Sequence, residues 1–203
     1  MEKKIAENYR RYLERVNLYK KFGYDIENER KFILEKAQPI YGNILEVGTG
    51  KGYFTLVLAK KGYTFTSIDI SEEEQKFARL NIKYFGLENQ VDFRIMNAEN
   101  LDFEDNSFDI IFLINTIHHL DNPYRVIDEL IRVVSFEGKI ILSDFTNEGL
   151  EIMNKIHTRR GSSHEVNNVV LSDIDNYLIK KEFKIQKYRS KFQEISIAYR
   201  QII

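Results

Sequence analysis

Ten residues restrict this chain more than any others: Ile44-Leu-Glu-Val-Gly-Thr-Gly-Lys-Gly-Tyr53. An apolar run carrying Glu46 leads into glycines at alternate positions, Gly48, Gly50 and Gly52. The residues after them, 53–61, place Phe54, Val57 and Leu58 at helical spacing. The pattern predicts a strand, a tight turn and a helix start. Such a junction gathers backbone N–H groups at the positive end of a helix dipole. Glycine lets the chain turn sharply there and lets a ligand lie against bare backbone. Spacing then separates the ligands. A dinucleotide fingerprint, G-x-G-x-x-G, would need its last glycine where Tyr53 stands. No G-x-x-x-x-G-K-[ST] phosphate loop occurs anywhere in the sequence. The plain alternative is an ordinary glycine-rich turn of an α/β domain.

Strand and helix signals keep alternating downstream. Residues 63–69 read as a β-branched and aromatic strand ending in Asp69. Ser71 and Glu74 form a capping-box pattern for a helix carrying Phe77, Leu80 and Tyr84, stopped by Gly86. Residues 91–97 alternate apolar and polar, and 108–115 are nearly all apolar, as in a central parallel strand buried on both faces. Asp121 is expected to cap a helix with Pro123 in its first turn and Val126, Ile127, Leu130, Ile131 and Val134 on one face. A fifth strand spans 138–144. This order predicts a parallel sheet covered on both sides, with right-handed crossovers bringing every strand's carboxyl end to one edge, where ligands bind. Asp69, Asn97, Asn115 and Asp144 are therefore expected in one crevice with the glycine turn.

The flanks are read differently. Residues 1–38 predict two helices, the first with Ile5, Tyr9, Tyr12, Leu13, Val16 and Tyr19 at helical spacing up to Gly23, the second from Ile26 to Ala37 ahead of Pro39. Lying outside the sheet, they form a cap or lid. The tyrosine stripe either packs on the core or closes one ring over a ligand. Residues 146–170 read as an insertion at the ligand edge holding His157, Arg159, Arg160, His164 and Glu165. It is either a solvated loop or a substrate-side segment in which the arginines would suit an anion. A helix from Ser172 to about Lys181 then leads to residues 183–192 and 193–202, so closely joined that they pair as an antiparallel hairpin.

At 203 residues the chain predicts a single domain, 1–203, with a helical cap (1–38), a core (40–145), the insertion (146–170) and a closing helix and hairpin (171–203). Thirty Lys and Arg against 31 Asp and Glu leave no overall basic footprint, so no nucleic acid is expected as partner. The absence of cysteine excludes disulfides, thiolate zinc sites and a cysteine nucleophile. The start, Met-Glu-Lys-Lys-Ile-Ala-Glu-Asn, is too charged for a signal peptide. No apolar run approaches the roughly 20 residues of a membrane span. A cytoplasmic protein that engages no membrane is expected; its oligomeric state is left open.

The string Glu-x-Gly-x-Gly-x-Gly resembles the first motif of class I S-adenosylmethionine-dependent methyltransferases, by motif over about residues 40–146 and by topology in the tail. The resemblance implies a Rossmann-like methyltransferase fold: a doubly wound, mostly parallel seven-stranded α/β sheet with an antiparallel C-terminal hairpin and an N-terminal helical cap. It implies S-adenosyl-L-methionine as cofactor, S-adenosyl-L-homocysteine as product, and a small-molecule acceptor. The cofactor-binding residues would be Glu46, Gly48, Thr49, Gly50 and Gly52 under the amino-acid end, Asp69 on the ribose hydroxyls and Ile70 against adenine. Asn97, Ala98 and Glu99 would meet the adenine edge, and Asn115 the methionine half. Relatives carry Asp where this chain has Asn97, which keeps an acceptor oxygen but loses the charge.

The string Asn115-Thr-Ile-His118-His119-Leu120 resembles the His-His-Leu string of the ubiquinone/menaquinone-biosynthesis-like branch. His118, with His157 and His164 of the insertion, is the candidate catalytic set, orienting an acceptor or taking a proton. No metal is expected in the site, although two or three of the histidines with Glu165 offer zinc-type ligands. Asp121-Asn-Pro-Tyr124 differs from the Asp/Asn-Pro-Pro-Tyr motif of adenine-N6 DNA methyltransferases: it lies too late after the fourth strand, and it has one proline. The alternatives are a tRNA or protein methyltransferase of the same fold, since fold does not fix substrate, and a non-catalytic, regulatory S-adenosylmethionine-binding protein.

Overall fold

The structure, a computed structural model, describes residues 2–159 and 168–200. Two helices, α1 (Glu2–Lys21) and α2 (Ile26–Lys36), precede a seven-stranded sheet. The sheet is built from β1 (Ile44–Val47), β2 (Phe65–Asp69), β3 (Val91–Ile95), β4 (Phe108–Ile114), β5 (Val134–Phe145), β6 (Phe183–Arg189) and β7 (Gln193–Arg200). Interleaved with the strands are α3 (Tyr53–Lys60), α4 (Glu72–Tyr84), α5 (Pro123–Val133), α6 (Asn147–Arg159) and α7 (Leu171–Lys180). The spatial order is β3-β2-β1-β4-β5-β7-β6. β1 pairs in parallel with both β2 and β4, β2 with β3, and β4 with β5, while β7 runs antiparallel to β5 and to β6. The hairpin expected at the end of the sequence is present, and β7 alone is reversed because it slots between β5 and β6.

Two apolar layers hold the sheet. Ile110, Ile111, Phe112 and Leu113 of β4 are fully buried, with alternate residues feeding opposite faces. On one face Val126, Ile127, Leu130 and Val133 of α5 meet Leu171, Ile174 and Leu178 of α7; on the other lie Phe54, Leu56 and Leu58 of α3 with Ile33 and Leu34 of α2. The chain winds outward from β1 to β3, then returns to place β4 beside β1. That reversal leaves a crevice at the carboxyl ends of β1 and β4, where open α/β sheets bind ligands.

Four local expectations change. Residues 146–170 were expected to be an insertion or solvated loop, but they begin as a regular helix, α6, whose Met153 and Ile156 pack with Tyr24, Ile26 and Phe192. Its N-terminus is held by Thr146, whose Oγ1 accepts from Gly149 N at 3.1 Å. The cap of α5 is Asn122 rather than Asp121, and the Asn122 amide is turned away to donate to both Glu99 oxygens. On α4 the buried residues are Gln75, Ala78, Asn81 and Ile82, not the Phe77–Leu80–Tyr84 set, because Gln75 meets β2 and Ala78 meets the start of α3 while α1 packs on Asn81. There Asn8 donates to Asn81 Oδ1 at 2.9 Å, and Tyr9 stacks on Tyr84 with centroids 4.0 Å apart. Of the Ser71–Glu74 box, one half forms: Ser71 Oγ accepts from Glu74 N, whereas the Glu74 carboxylate pairs with Lys51 at 2.5 Å. Among the described residues no helix is long and apolar enough to cross a membrane.

Candidate active site

A cavity of about 580 Å³ opens at the carboxyl edge of the sheet. That size is typical of small-molecule sites, roughly 300–1,000 Å³. Glu46, Gly48, Thr49, Gly50, Asp69, Ile70, Asn97, Ala98, Glu99 and Asn115 all line it; Gly52 does not. Gly52 instead lets α3 close on α4, since a Cβ there would stand 2.6 Å from Ala78 Cβ.

The glycine turn spends much of its hydrogen bonding on the protein itself. Gly48 and Thr49 N donate to Ile68 O at 2.9 and 3.0 Å, Gly50 N donates to Asp69 Oδ2 at 2.6 Å, and Gly52 N donates to Thr49 O. These four amides are fixed by the end of β2 and by the turn rather than aimed at a ligand, contrary to the sequence expectation. What the turn offers the cavity is bare surface: a Cβ at Gly50 would have nothing within 4 Å. Beneath it lies a buried chain of polar side chains. Gln75 Nε2 donates to Thr49 Oγ1, Thr49 and Ser67 hydroxyls lie 2.6 Å apart, and Ser67 and Thr55 donate to Glu46 Oε2 at 2.6 and 2.7 Å. Burial pushes the Glu46 carboxyl up to about 7, against the pull of the two hydroxyls and with a further push from the Asp69 charge.

Asp69 ends β2 with Oδ2 on Gly50 N and Oδ1 on Ser71 N at 2.8 Å. An ionised carboxylate accepts about four hydrogen bonds, so two sites stay open to a ligand. Ile70 beside it is 69% exposed. Asn97 Oδ1 accepts from Glu99 N at 2.9 Å, which ties the strap after β3 and uses part of the acceptor capacity expected for a ligand. Asn115 stands out. Its backbone has φ of 53°, its N donates to Ser143 O, and neither polar atom of its buried amide has a hydrogen-bond partner among the described residues. A buried polar side chain left unpaired, in a strained backbone position on a cavity wall, is configured for something that enters the cavity.

The histidines divide. His157 from α6 and His119 line the cavity; His118 does not. His118 is 6% exposed, with Nδ1 2.6 Å from Asp144 Oδ1 and its ring 4.1 Å from that of His119. Asp144, expected in the crevice, lies behind the wall as this partner and also accepts from Phe145 N. An ionised carboxylate only accepts, so the short contact directs the His118 Nδ1 hydrogen at Asp144 and fixes the ring's orientation. His164, Arg160 and Glu165 lie outside the described residues. Among those described, no group of three or more His, Cys, Asp or Glu could hold a metal ion.

The sequence resembles known proteins along this same core. A family model described as a methyltransferase domain matches residues 45–142. Over this core the chain carries the methyltransferase domain of the class I S-adenosylmethionine-dependent type. Phosphatidylethanolamine N-methyltransferase of Cereibacter sphaeroides is 32% identical over 121 residues, 60% of this chain and 59% of that protein. Ubiquinone/menaquinone biosynthesis C-methyltransferase of Shewanella pealeana is 27% identical over 171 residues, 76% of this chain and 68% of that protein. A solved S-adenosylmethionine-dependent methyltransferase from Aquifex aeolicus superposes with a TM-score of 0.66 at 22% identity, covering 83% of this chain and 88% of that one. The chain spans about half the length of several curated relatives it matches, from 37% to 68% among five of them.

Sequence reasoning missed one wall residue of this methyltransferase cavity. Arg30 is 7% exposed, its Nη1 donates to Tyr24 Oη at 3.3 Å, and no carboxylate among the described residues pairs with it. A buried guanidinium without a counter-ion favours an anion in the cavity. The signal was present: on α2 the buried positions 26, 30, 33 and 34 form an apolar stripe, interrupted by this arginine. Arg15 and Tyr19 of α1 also reach the cavity, so the N-terminal helices contribute walls as well as packing.

Proposed function

We propose that this protein transfers the methyl group of S-adenosylmethionine to a small-molecule acceptor and releases S-adenosylhomocysteine. One observation carries the reading: an acid, an exposed apolar side chain, an unpaired buried amide and a buried guanidinium with no carboxylate partner among the described residues converge on one cavity beside an open glycine. Those four fit the cofactor's ribose, adenine, amino-acid end and carboxylate in turn. Asp69 holds the ribose hydroxyls, and Ile70 covers adenine beside the strap of Asn97, Ala98 and Glu99. Asn115 contacts the methionine half over Gly48, Thr49 and Gly50, with Glu46 beneath them and Gly52 setting the turn. Arg30 binds the carboxylate. The bound cofactor supplies an activated methyl group; the chain's part is to align an acceptor behind it.

The acceptor side is built from Tyr19, His119 and His157, with His164 of the following segment assigned there from sequence. His118, oriented by Asp144, serves as the proton acceptor next to that wall. Relatives named for quinone biosynthesis support a small-molecule acceptor.

Calorimetry tests the cofactor assignment: S-adenosylmethionine and S-adenosylhomocysteine are expected to bind and NAD is not. NAD binding without a response to S-adenosylmethionine would end the reading. Arg30→Gln is expected to weaken S-adenosylmethionine by about 1.5–3 kcal/mol, the range for a hydrogen bond to a charged group, with the melting temperature little changed. In an acceptor screen with labelled methyl donor, His157→Ala and His164→Ala should leave cofactor affinity within about 1 kcal/mol while turnover falls at least tenfold. Full turnover in the double variant would move the acceptor contacts to His119 and Tyr19 of the cavity wall.

A further inference from the structure

The polar chain under the glycine turn has a direction. Ser67 gives its hydrogen to Glu46 Oε2, so the 2.6 Å contact between Thr49 and Ser67 must be a donation from Thr49, and Gln75 Nε2 in turn donates to Thr49. Every link points its hydrogen toward Glu46, and Thr55 adds another. All five side chains are buried. The carboxyl accepts from the hydroxyls of Ser67 and Thr55 and from the Thr55 backbone N–H; among the described residues no cation pairs with it. The charged groups around it are arranged unequally. Asp69, which ends β2, faces it with a like charge, Lys51 is engaged by Glu74, and Arg30 reaches the cavity from α2. His119 and His157 stand on the cavity wall. Burial and the neighbouring Asp69 charge make this carboxyl costly to ionise until a cation arrives, even though its hydroxyl donors favour the ionised form.

We propose that Glu46 is a proton-coupled charge site: in the ligand-free protein part of the population holds its proton at neutral pH, and that proton passes to solvent when a cationic ligand settles over the glycine turn. The O–H bond of the carboxyl breaks, the proton passes to buffer, and the carboxylate left behind keeps its hydroxyl donors. This rests on the methyltransferase reading, because S-adenosylmethionine brings a sulfonium and an ammonium to the cavity. The elevated affinity of Glu46 for its proton, with a midpoint near 7, puts the exchange in the physiological range. The sign follows. Below that midpoint the ligand must displace a proton, so its affinity falls as pH falls, by roughly tenfold per pH unit, and levels off above it.

The experiment is calorimetric titration of S-adenosylmethionine into the full chain at pH 7 in buffers of different ionisation enthalpy. The heat is expected to vary with buffer, corresponding to release of about half a proton. Glu46→Gln should abolish that dependence. Ser67→Ala retains the carboxyl, removes a donor that favours the ionised form, and should move the midpoint of the affinity–pH curve upward even if the glutamine variant folds poorly. Tight binding with buffer-independent heat would overturn the charge site and leave the functional reading standing. Proton release that persists in Glu46→Gln would assign it to a cavity histidine and overturn it equally, as would an unmoved midpoint in Ser67→Ala. Absence of S-adenosylmethionine binding at every pH would remove the functional reading and the charge site together.

Discussion

Replacing Asp69 by alanine is expected to weaken S-adenosylmethionine by about 2–4 kcal/mol, roughly thirty- to several-hundred-fold, in a calorimetric titration. The carboxylate has two jobs. It ties the turn from both ends, with Gly50 N on one oxygen and Ser71 N on the other, and it keeps acceptor capacity for two ribose hydroxyls. Alanine removes the proposed ligand bonds and also frees Gly50 N, so the turn loses its anchor along with its ligand. Asp69→Asn should fall between the two, because one oxygen survives while an N–H group is turned toward an N–H group. Unchanged affinity in the alanine variant would take the ribose away from the end of β2.

Valine at the two neighbouring glycines is expected to separate folding from binding. At Gly52 φ is 78°, and a Cβ would press on Ala78 at 2.6 Å from Cβ and 2.8 Å from Cα, the latter a backbone atom that cannot swing aside. Left-handed strain and overpacking together cost about 2–5 kcal/mol, so Gly52→Val should lower the denaturation midpoint substantially, by wedging α3 from α4. Gly50 also has positive φ, but the space around it is open. Gly50→Val should therefore lose only about 1–2 kcal/mol of stability to strain while its side chain blocks the cavity and abolishes S-adenosylmethionine binding. The discriminating result is the pairing of a melt with a titration for each variant. If Gly52→Val melts like the parent, or Gly50→Val binds like it, the roles assigned to the two glycines are wrong.

Much of this was legible in the sequence because it rests on local periodicity and short-range turn chemistry. The 108–114 run, apolar except for Asp109, reads as a strand buried on both faces, and Gly48-x-Gly50-x-Gly52 fixed a sharp turn between a strand and a helix. Asp69, Ile70 and Asn115 could be placed at the ligand edge because parallel strands joined by right-handed crossovers end together. α6 is legible in Leu150, Met153 and Ile156 at intervals of three behind Thr146, but the polar, charged stretch that begins with His157 and Arg159 resembles a solvated loop.

Other features needed the third dimension, since they depend on which distant segments meet. Asp144 belongs with His118, 26 residues earlier, only because β4 and β5 are neighbours whose ends bring the two side chains together. Arg30 becomes a cavity-wall residue only because α2 folds back over the carboxyl edge of a sheet that follows it in sequence. Glu46 looked like a motif acid. Its unusual hold on a proton comes from burial under a turn and from Ser67 on the next strand, and no short-range pattern encodes either. The sequence by itself determined the order of strands and helices, through hydrophobic period and glycine placement. Tertiary packing decided which polar groups are buried without partners, because desolvation is a property of the assembled fold rather than of any one segment.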